Sequence, residues 1–228
     1  MDARPYGGGE PSTQVGYERL RDAIRSDIIS GVFDAGVRLK IPELCRRYGV
    51  SSIPVREALQ QLQGEGLVVM MPNRGATVRS VDPIFVSEIY EVREAIDAAM
   101  ARRFVEHVTA DALLALERAQ DEMERCEESG NILGRHLADR AFHRVIFSGA
   151  NNREALLIID RQNNIINALR LGYGQSEARR QQVRQEHRAL IEAVRKGDAR
   201  RAATIAASHA RNARNDLIAA MRKRSASS

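Results

Sequence analysis

Residues 49–78 read GVSSIPVREALQQLQGEGLVVMMPNRGATV, and this stretch decides the fold of the N-terminal third of the chain. Ser51 or Ser52 can cap a helix whose apolar residues recur with helical spacing up to Gly64. Two apolar, β-branched runs then flank the turn residues Pro72-Asn73-Arg74-Gly75. Such runs around a glycine-containing turn predict a β-hairpin. The stretch therefore predicts a capped helix followed directly by a hairpin.

Two further helices are predicted before this stretch. Apolar residues recur with a period near 3.6 over residues 15–29, and Gly31 follows as a stop signal. Ile41–Tyr48 forms a short helix that ends at Gly49. The order helix, helix, glycine turn, helix and hairpin is that of a winged helix-turn-helix.

Strand signals end at Asp82-Pro83, and the remainder is helical in pattern. Short breaks containing glycine, asparagine or threonine separate six predicted helices, at about 83–107, 110–129, 132–148, 153–171, 177–196 and 199–222. We therefore predict a mainly α protein, with an N-terminal winged helix-turn-helix (a small β-hairpin wing) followed by an all-α six-helix antiparallel bundle. The predicted domains are a winged head over 13–80 and a helical domain over 83–222, with disordered tails over 1–12 and 223–228. The junction Ser80–Asp82 is too short to act as a flexible tether.

Composition narrows the class of protein. The 228 residues, 43% of them hydrophobic, suffice for one small and one medium domain. No apolar run approaches a membrane span and the polar N-terminus does not resemble a signal peptide, so we expect a soluble, cytoplasmic protein without a membrane partner. Cys45 and Cys126 lack metal-site or disulfide spacing.

Charge is distributed unevenly along the chain. Residues 13–80 carry ten basic and seven acidic residues, residues 81–169 carry ten and sixteen, and residues 170–228 carry fourteen and five. A polyanionic partner suits the two ends better than the middle. Charge alone favours nucleic-acid binding only modestly, because solvated helix faces also carry such runs.

Several motifs together resemble one family. They are residues 49–78, DRAFH at 139–143, QEHRALIEAVRKGDARRA at 185–202, and His209. This set resembles the GntR family of transcriptional regulators, in the FadR-like branch with an FCD ligand-binding domain; six helices point to its VanR-like subgroup. The resemblance implies a non-enzymatic, ligand-responsive regulator that binds double-stranded DNA. It also implies a homodimer reading an inverted-repeat operator, because two-fold protein symmetry matches two-fold DNA symmetry.

The recognition helix of such a head presents its first turn to base edges in the major groove. Arg56 can bond bidentately to guanine there. Ser51 and Ser52 suit phosphates or adaptable base contacts, and Ile53 can touch a thymine methyl. Ser52-Ile53 replaces an Arg-Thr pair usual in the family, so the operator sequence does not carry over from other members.

The hairpin tip offers a second DNA contact. Asn73, Arg74 and Gly75 supply a cation and a closely approaching backbone for a neighbouring groove or for phosphates. The alternative is that Arg56 pairs within its helix, with Glu57 or Gln60, and that Arg74 is a solvated turn residue.

A metal site is predicted in the helical domain. Asp139 and His143 stand at i and i+4, so both side chains project from one helix face. If Gly197 turns an antiparallel helix pair, His187 and His209 lie about 15 Å and about 18 Å from that turn, nearly level. Three imidazoles and one carboxylate suit a divalent transition metal, with zinc as the first choice and nickel or manganese also compatible. The alternative is a surface Asp–His pair and a hydrogen-bonded core histidine.

The effector is expected to be a small carboxylate. Arg93 matches an arginine that family members place facing the same cavity, where its guanidinium and the metal can hold one carboxylate together. Asn164, with Asn163 and Asn167, can add hydrogen bonds. The alternative for Arg93 is an ion pair with Glu94 or Asp97.

Two other classes of protein compete with the regulator. One is a metal-dependent hydrolytic enzyme that uses the site of three histidines and one aspartate, since an open metal position can activate water. Against it, no His-Glu-x-x-His helix occurs, and Glu186 points about 100° away from His187 around its helix. The other is a purely architectural DNA binder that uses the arginines between Arg179 and Arg224.

Overall fold

The computed structural model describes residues 13–72 and 74–226. The predicted tail over 1–12 and the wing-tip residue Asn73 lie outside the described residues. The chain divides into two compact units, the first ending at Val81 and the second beginning at Asp82.

The N-terminal unit is a winged helix-turn-helix, as predicted. Its elements in chain order are α1 (Thr13–Ile29), β1 (Arg38–Leu39), α2 (Ile41–Tyr48), α3 (Ser52–Glu65), β2 (Val68–Met71) and β3 (Gly75–Val78). The three strands form an antiparallel sheet in the order β1-β3-β2, with β2 and β3 as the wing hairpin.

An apolar core joins α1 to α3 in this unit. Ile24, Leu59 and Leu62 are completely buried. At the edge of this core Arg25 forms a two-pronged ion pair with Glu65, Nε donating to Oε2 at 2.8 Å and Nη2 to Oε1. Bidentate geometry of this kind fixes the relative rotation of two helices as well as their separation. The pair therefore helps hold α3 at a defined angle on α1.

Two details of this unit differ from the sequence prediction. Strand β1 was not predicted, because two residues are too few to show an alternating pattern. The helix α3 continues past Gly64 to Glu65, and Gly66 adopts the left-handed conformation that ends it. Gly75 also has a positive φ of 84°, and a Cβ there would collide with the carbonyl oxygen of Leu39. The wing thus needs a glycine because β1 lies against it.

The C-terminal unit is the predicted six-helix bundle over the residues that the structure describes. Its helices are α4 (Pro83–His107), α5 (Ala110–Glu128), α6 (Ile132–Gly149), α7 (Arg153–Tyr173), α8 (Glu177–Arg195) and α9 (Ala199–Ser225). All but the last begin and end within two residues of the sequence prediction; α9 runs three residues longer, into the segment predicted as a tail. Helix starts are accurate because each carries a side-chain cap, as when Asp82 accepts a hydrogen bond from the backbone N–H of Phe85.

The bundle core is apolar and closely packed. Phe104 of α4 and Phe142 of α6 are completely buried, and α4 packs along α9. Gly149 at the end of α6 has no room for a Cβ, since Phe104 occupies that space. Over the described residues, every helix is too short or too polar to cross a membrane.

Ion pairs between helices neutralise part of the charge asymmetry of the sequence at the surface of this bundle. Arginines of α8 and α9 pair with carboxylates of α4 and α5: Arg188 with Asp121 and Glu124, Arg195 with Glu117, Arg180 with Glu127, and Arg211 with Glu94. Arg200, Arg201 and Arg222 of α9 remain exposed, so these ion pairs reduce the positive surface that a purely architectural DNA binder would use but do not remove it.

Candidate metal centre and DNA-binding surface

Three histidines from three helices converge in the bundle. His143 lies on α6, His187 on α8 and His209 on α9, and one ring nitrogen from each lies within 4.8 Å of the others. The ring centroids of His187 and His209 are 5.0 Å apart, so the two residues are level across their helix pair. Ligands of one ion stand about 3–4 Å apart when metal–ligand bonds are about 2.1 Å long. The cluster thus needs only a small contraction to hold an ion.

Asp139 supplies a carboxylate beside two of these rings. Its Oδ1 lies 3.9 Å from Nε2 of His143 and 3.9 Å from Nε2 of His187. The i,i+4 spacing on α6 therefore places Asp139 and His143 toward the interior together. The surface Asp–His pair considered as the alternative does not describe this arrangement, since the Asp139 and His143 side chains are only 22% and 21% exposed.

A hydrogen bond selects the tautomer of His187. Its side chain is 1% exposed, and Nδ1 lies 2.9 Å from Oε1 of the fully buried Gln120. The amide nitrogen of Gln120 donates to Glu124, so Oε1 is the atom that faces the imidazole and accepts its proton. Nε2 of His187 then carries a lone pair and has no hydrogen-bond partner among the described residues. A buried nitrogen of this kind fits a metal ion.

His209 is oriented in the same way by Glu186. Nδ1 of His209 lies 2.7 Å from Oε2 of Glu186, which leaves the other ring nitrogen for an ion. Glu186 also accepts from Arg179 at 2.7 Å and from Asn212 at 2.6 Å. Burial raises the pKa of Glu186, but the hydrogen bonds from His209 and Asn212 outweigh it and lower that pKa to about 2. The sequence did not predict that Gln120 supports His187, because nothing in the local pattern around Gln120 marks it.

The electrostatics favour neutral imidazoles next to an ionised carboxylate. Burial lowers the pKa of His143 to about 3 and lowers the pKa of His187 well below its ordinary value. Burial alone would raise the pKa of Asp139, but His143, His187 and Arg170 outweigh that effect and lower it. Neutral imidazole and ionised carboxylate are the forms that bind a metal.

Two small cavities, of about 20 and 40 Å³, adjoin the histidines and share His143, His209 and Asp97 as walls. The larger is also lined by Arg93 and Asn163. Arg93 donates to Asn163 Oδ1 at 2.6 Å and lies 3.7 Å from Asp97 Oδ2, while Glu94 pairs with Arg211 instead. The ion pair with Asp97 that the sequence allowed does form, but it is buried and faces the cavity.

The three asparagines of α7 divide between two faces. Asn163 and Asn167 line the cavity that contains Arg93. Asn164, the residue singled out from the sequence, is exposed and does not line it. The helical turn sets this difference, since a neighbour in sequence lies about 100° away around the helix.

The N-terminal unit presents the predicted recognition residues to solvent. Ser51, Ser52, Ile53 and Arg56 are all exposed, with 67% of Ile53 accessible. Among the described residues, Arg56 has no hydrogen bond or ion pair, so the pairing with Glu57 or Gln60 does not form. An unpaired arginine on the first turns of this helix is available for a base edge.

The wing adds a second cation. Arg74 is exposed, and its carbonyl oxygen accepts a 2.7 Å hydrogen bond from Nε of Arg38 on β1. Gly75, by contrast, is buried and its conformation is explained by the contact with β1. Arg38 was missed in the sequence because the strand that carries it was not predicted.

Each of the two units matches a known protein family. The family described as "Bacterial regulatory proteins, gntR family" matches residues 16–78, and the FCD domain matches residues 88–212. The galactonate operon transcriptional repressor of Escherichia coli K12 is 26% identical over 205 residues, covering 79% of this chain and 87% of that protein. An uncharacterized HTH-type regulator from the TAR-I ttuE-ttuC' intergenic region of Agrobacterium vitis is 33% identical over 137 residues, which cover 59% of this chain and 78% of that protein.

Solved structures agree on the fold. Escherichia coli McbR/YncC superposes with a TM-score of 0.65 at 19% identity, covering 92% of this chain and 98% of that one. A GntR regulator from Rhodococcus sp. RHA1 gives 0.61 at 22% identity, covering 90% and 98%. The chain belongs to the GntR family of bacterial transcriptional regulators, in the FadR-like branch whose C-terminal domain is an FCD domain.

Proposed function

We propose that this regulator binds its operator through α3 and the wing, and that a small carboxylate bound beside a divalent metal in the helical unit modulates that binding. The observation that carries the proposal is the cluster of His143, His187 and His209, which shares cavity walls with Arg93. Six helices in the helical unit favour the VanR-like subgroup.

The metal would be held by the three histidines and Asp139, and zinc is the first choice. Four ligands of this kind suit zinc, while a nickel or manganese ion would accept the same donors with added water. An acid would then bind as an additional ligand, by expansion of the zinc shell to five-coordinate or in place of water on nickel or manganese. Arg93 would supply the second anchor, since guanidinium and carboxylate form paired hydrogen bonds.

The small size of the two cavities implies that binding an acid would move the surrounding helices. Spaces of about 20 and 40 Å³ hold only a few water molecules. An acid of several carbon atoms requires α4, α7 and α9 to move apart, because their side chains form the walls. Four residues separate the wing strand β3 from helix α4, so a movement of α4 would reach the head through a short junction.

A homodimer is proposed on the exposed face of α7. Leu157 and Leu171 are 66% and 68% exposed, and Asn164 lies midway between them on the same face, at intervals of seven residues. A seven-residue repeat of apolar side chains is typical of helix pairing, and one polar residue within it can fix the register. Asn164 thus suits the dimer better than the effector.

The hydrolytic enzyme is the less favoured function. In many metal hydrolases a carboxylate next to the ion accepts the proton of the attacking water. Glu186 has both oxygens occupied, one by His209 and Arg179 and the other by Asn212. A hydrolytic activity would also give no reason for the N-terminal winged helix-turn-helix.

We predict that Arg56→Ala weakens specific operator binding by about 1–3 kcal/mol, the cost of one bidentate base contact, and weakens nonspecific binding less. Fluorescence anisotropy with operator and scrambled duplexes at matched salt measures both. Arg118→Ala, which removes an exposed charge from α5, is the control and should change neither. Equal losses on both duplexes would make Arg56 a phosphate contact.

Metal binding should stabilise the folded chain. We expect one zinc per chain and a drop in Tm of about 5–10 °C on chelation, since an ion that binds only the folded state stabilises it. His143→Ala should lose the ion, whereas His107→Ala, which removes a histidine outside the cluster, should keep it. Elemental analysis and thermal denaturation give the two readouts.

The supporting hydrogen bond provides a sharper version of this test. Gln120→Leu should weaken zinc binding by about 10–100-fold, because His187 loses the acceptor that fixes its tautomer. Full zinc affinity in this variant would refute the supporting role of Gln120. Trace metal occupancy of the wild-type protein, with no thermal shift on adding zinc, nickel or manganese, would refute the site.

The dimer proposal predicts that Leu157→Arg weakens self-association by about tenfold or more, since it places a charge in a desolvated contact. Sedimentation velocity over a concentration series measures the shift. Leu133→Arg on α6 is the matched control, because Leu133 is also 66% exposed. An unchanged dimer in the α7 variant together with dissociation of the control would move the interface to α6.

The effector response should depend on Arg93. In Arg93→Gln, the change in operator affinity caused by an acid is expected to fall at least tenfold relative to wild type, a coupling loss of about 1.4 kcal/mol. A panel of hydroxy, keto and sugar acids is titrated against operator complexes, with the exposed Arg102→Gln on the same helix as control. If Arg93→Gln responds at the same acid concentration as wild type, Arg93 does not anchor the effector. If the acid is consumed during the titration, the hydrolytic enzyme is favoured over the regulator.

A further inference from the structure

A third and much larger cavity lies away from the cluster of His143, His187 and His209. Its volume is about 480 Å³, compared with about 20 and 40 Å³ for the cavities beside the cluster. It lies where the C-terminal ends of α5 and α7 meet the N-terminal ends of α6 and α8, and we call it the outer cavity. Volumes of roughly 300–1,000 Å³ are usual for small-molecule sites.

The walls of the outer cavity are strongly basic. Arg135, Arg170 and Arg180 line it, and Glu127 is the only carboxylate among its described lining residues. Glu127 is shared: Oε1 accepts from Arg180 at 2.7 Å, and Oε2 lies 3.2 Å from Nε of Arg135. Among the described lining residues, three guanidinium groups therefore face one carboxylate, while Asp139 outside the lining also acts on Arg135 and Arg170.

Arg135 is the more buried of the two arginines that contact Glu127. Its side chain is 8% exposed, and within the described chain it contacts Glu127 and approaches His136 at 3.4 Å. Burial lowers the pKa of Arg135; Asp139 and Glu127 raise it, and Arg180 and Arg170 lower it. A guanidinium has five N–H donors, so most of those on Arg135 are not used by the protein.

Two further residues connect the outer cavity to its surroundings. Gln175 lines the cavity, and its backbone carbonyl accepts a 3.0 Å hydrogen bond from Nη1 of Arg180. Arg170 forms a wall of both the outer cavity and the cavity that contains Arg93, and its Nη2 donates to Tyr90 of α4 at 3.0 Å.

We propose that the outer cavity is a second ligand site, which binds a small dianion through Arg135, Arg170 and Arg180. A phosphate monoester and a dicarboxylate share the required chemistry, because both offer oxygen pairs that match guanidinium forks. The site is separate from the metal-dependent site, and its existence does not depend on that proposal.

The test is isothermal titration of the full chain with glycerol 3-phosphate and, in parallel, with malate. At least one should bind, and whichever binds more tightly identifies the phosphate or the carboxylate as the preferred group. Arg135→Gln and Arg180→Gln should each weaken that binding at least tenfold. Arg125→Gln is the matched control, because Arg125 is a nearby arginine of α5 that pairs with Glu122 at the surface and does not line the cavity.

Two further arms locate the bound ligand. Protein that has been chelated and then desalted should bind the dianion within twofold of untreated protein, since no metal is needed. Loss of binding after chelation would place the dianion at the histidines and overturn the proposal. Absence of binding by both compounds at 10 mM, or equal binding by wild type and both cavity variants, would overturn it as well. Arg180→Gln, at a side chain that is 33% exposed, keeps the test valid if Arg135→Gln fails to fold.

Discussion

The helical unit is organised around one buried imidazole whose second nitrogen no protein group satisfies among the described residues. His187 is 1% exposed, Gln120 fixes its tautomer, and Nε2 faces the other two histidines without a partner. A buried polar atom left unpaired costs about 1–3 kcal/mol. Helix α8 must bring His187 to this depth while α5 supplies Gln120, so the register of both helices is tied to one hydrogen bond. A metal ion at Nε2 would turn this cost into a favourable interaction.

This packing places basic residues of α8 against acidic residues of α5. The arginines of α8 lie opposite carboxylates of α5, as in the contacts of Arg188 with Asp121 and Glu124. Glu124 also accepts from Gln120, so this surface network extends inward to the imidazole. Exposed ion pairs contribute little to stability one by one. Their effect here is to hold α5 and α8 in the register that the buried hydrogen bond requires.

Sequence patterns were sufficient for the elements and for the residues that spacing brings together. Helical periodicity and capping residues located the six bundle helices, and the turn at Gly197 correctly placed His187 level with His209. Long-range choices were not accessible in this way. Gln120 has no local signal, because its role exists only when α5 lies against α8. Asn163 and Asn164 differ by one position, and only the rotation of α7 decides which of them faces Arg93.

Helix α4 carries the contacts that the proposed effector would disturb. Arg93 and Asp97 stand one turn apart on this helix and form a buried pair, and Oδ1 of Asp97 has no partner among the described residues. An incoming carboxylate would compete with Asp97 for Arg93, and burial already raises the pKa of Asp97. In the proposed function, binding would therefore exchange one carboxylate partner of Arg93 for another and would leave Asp97 to be protonated or reoriented. Tyr90, one turn earlier on α4, is held by Arg170 of α7, so the exchange is resisted by a second contact on the same helix. A ligand that displaces Asp97 must shift α4 against α7, because the cavity of about 40 Å³ leaves it no other room.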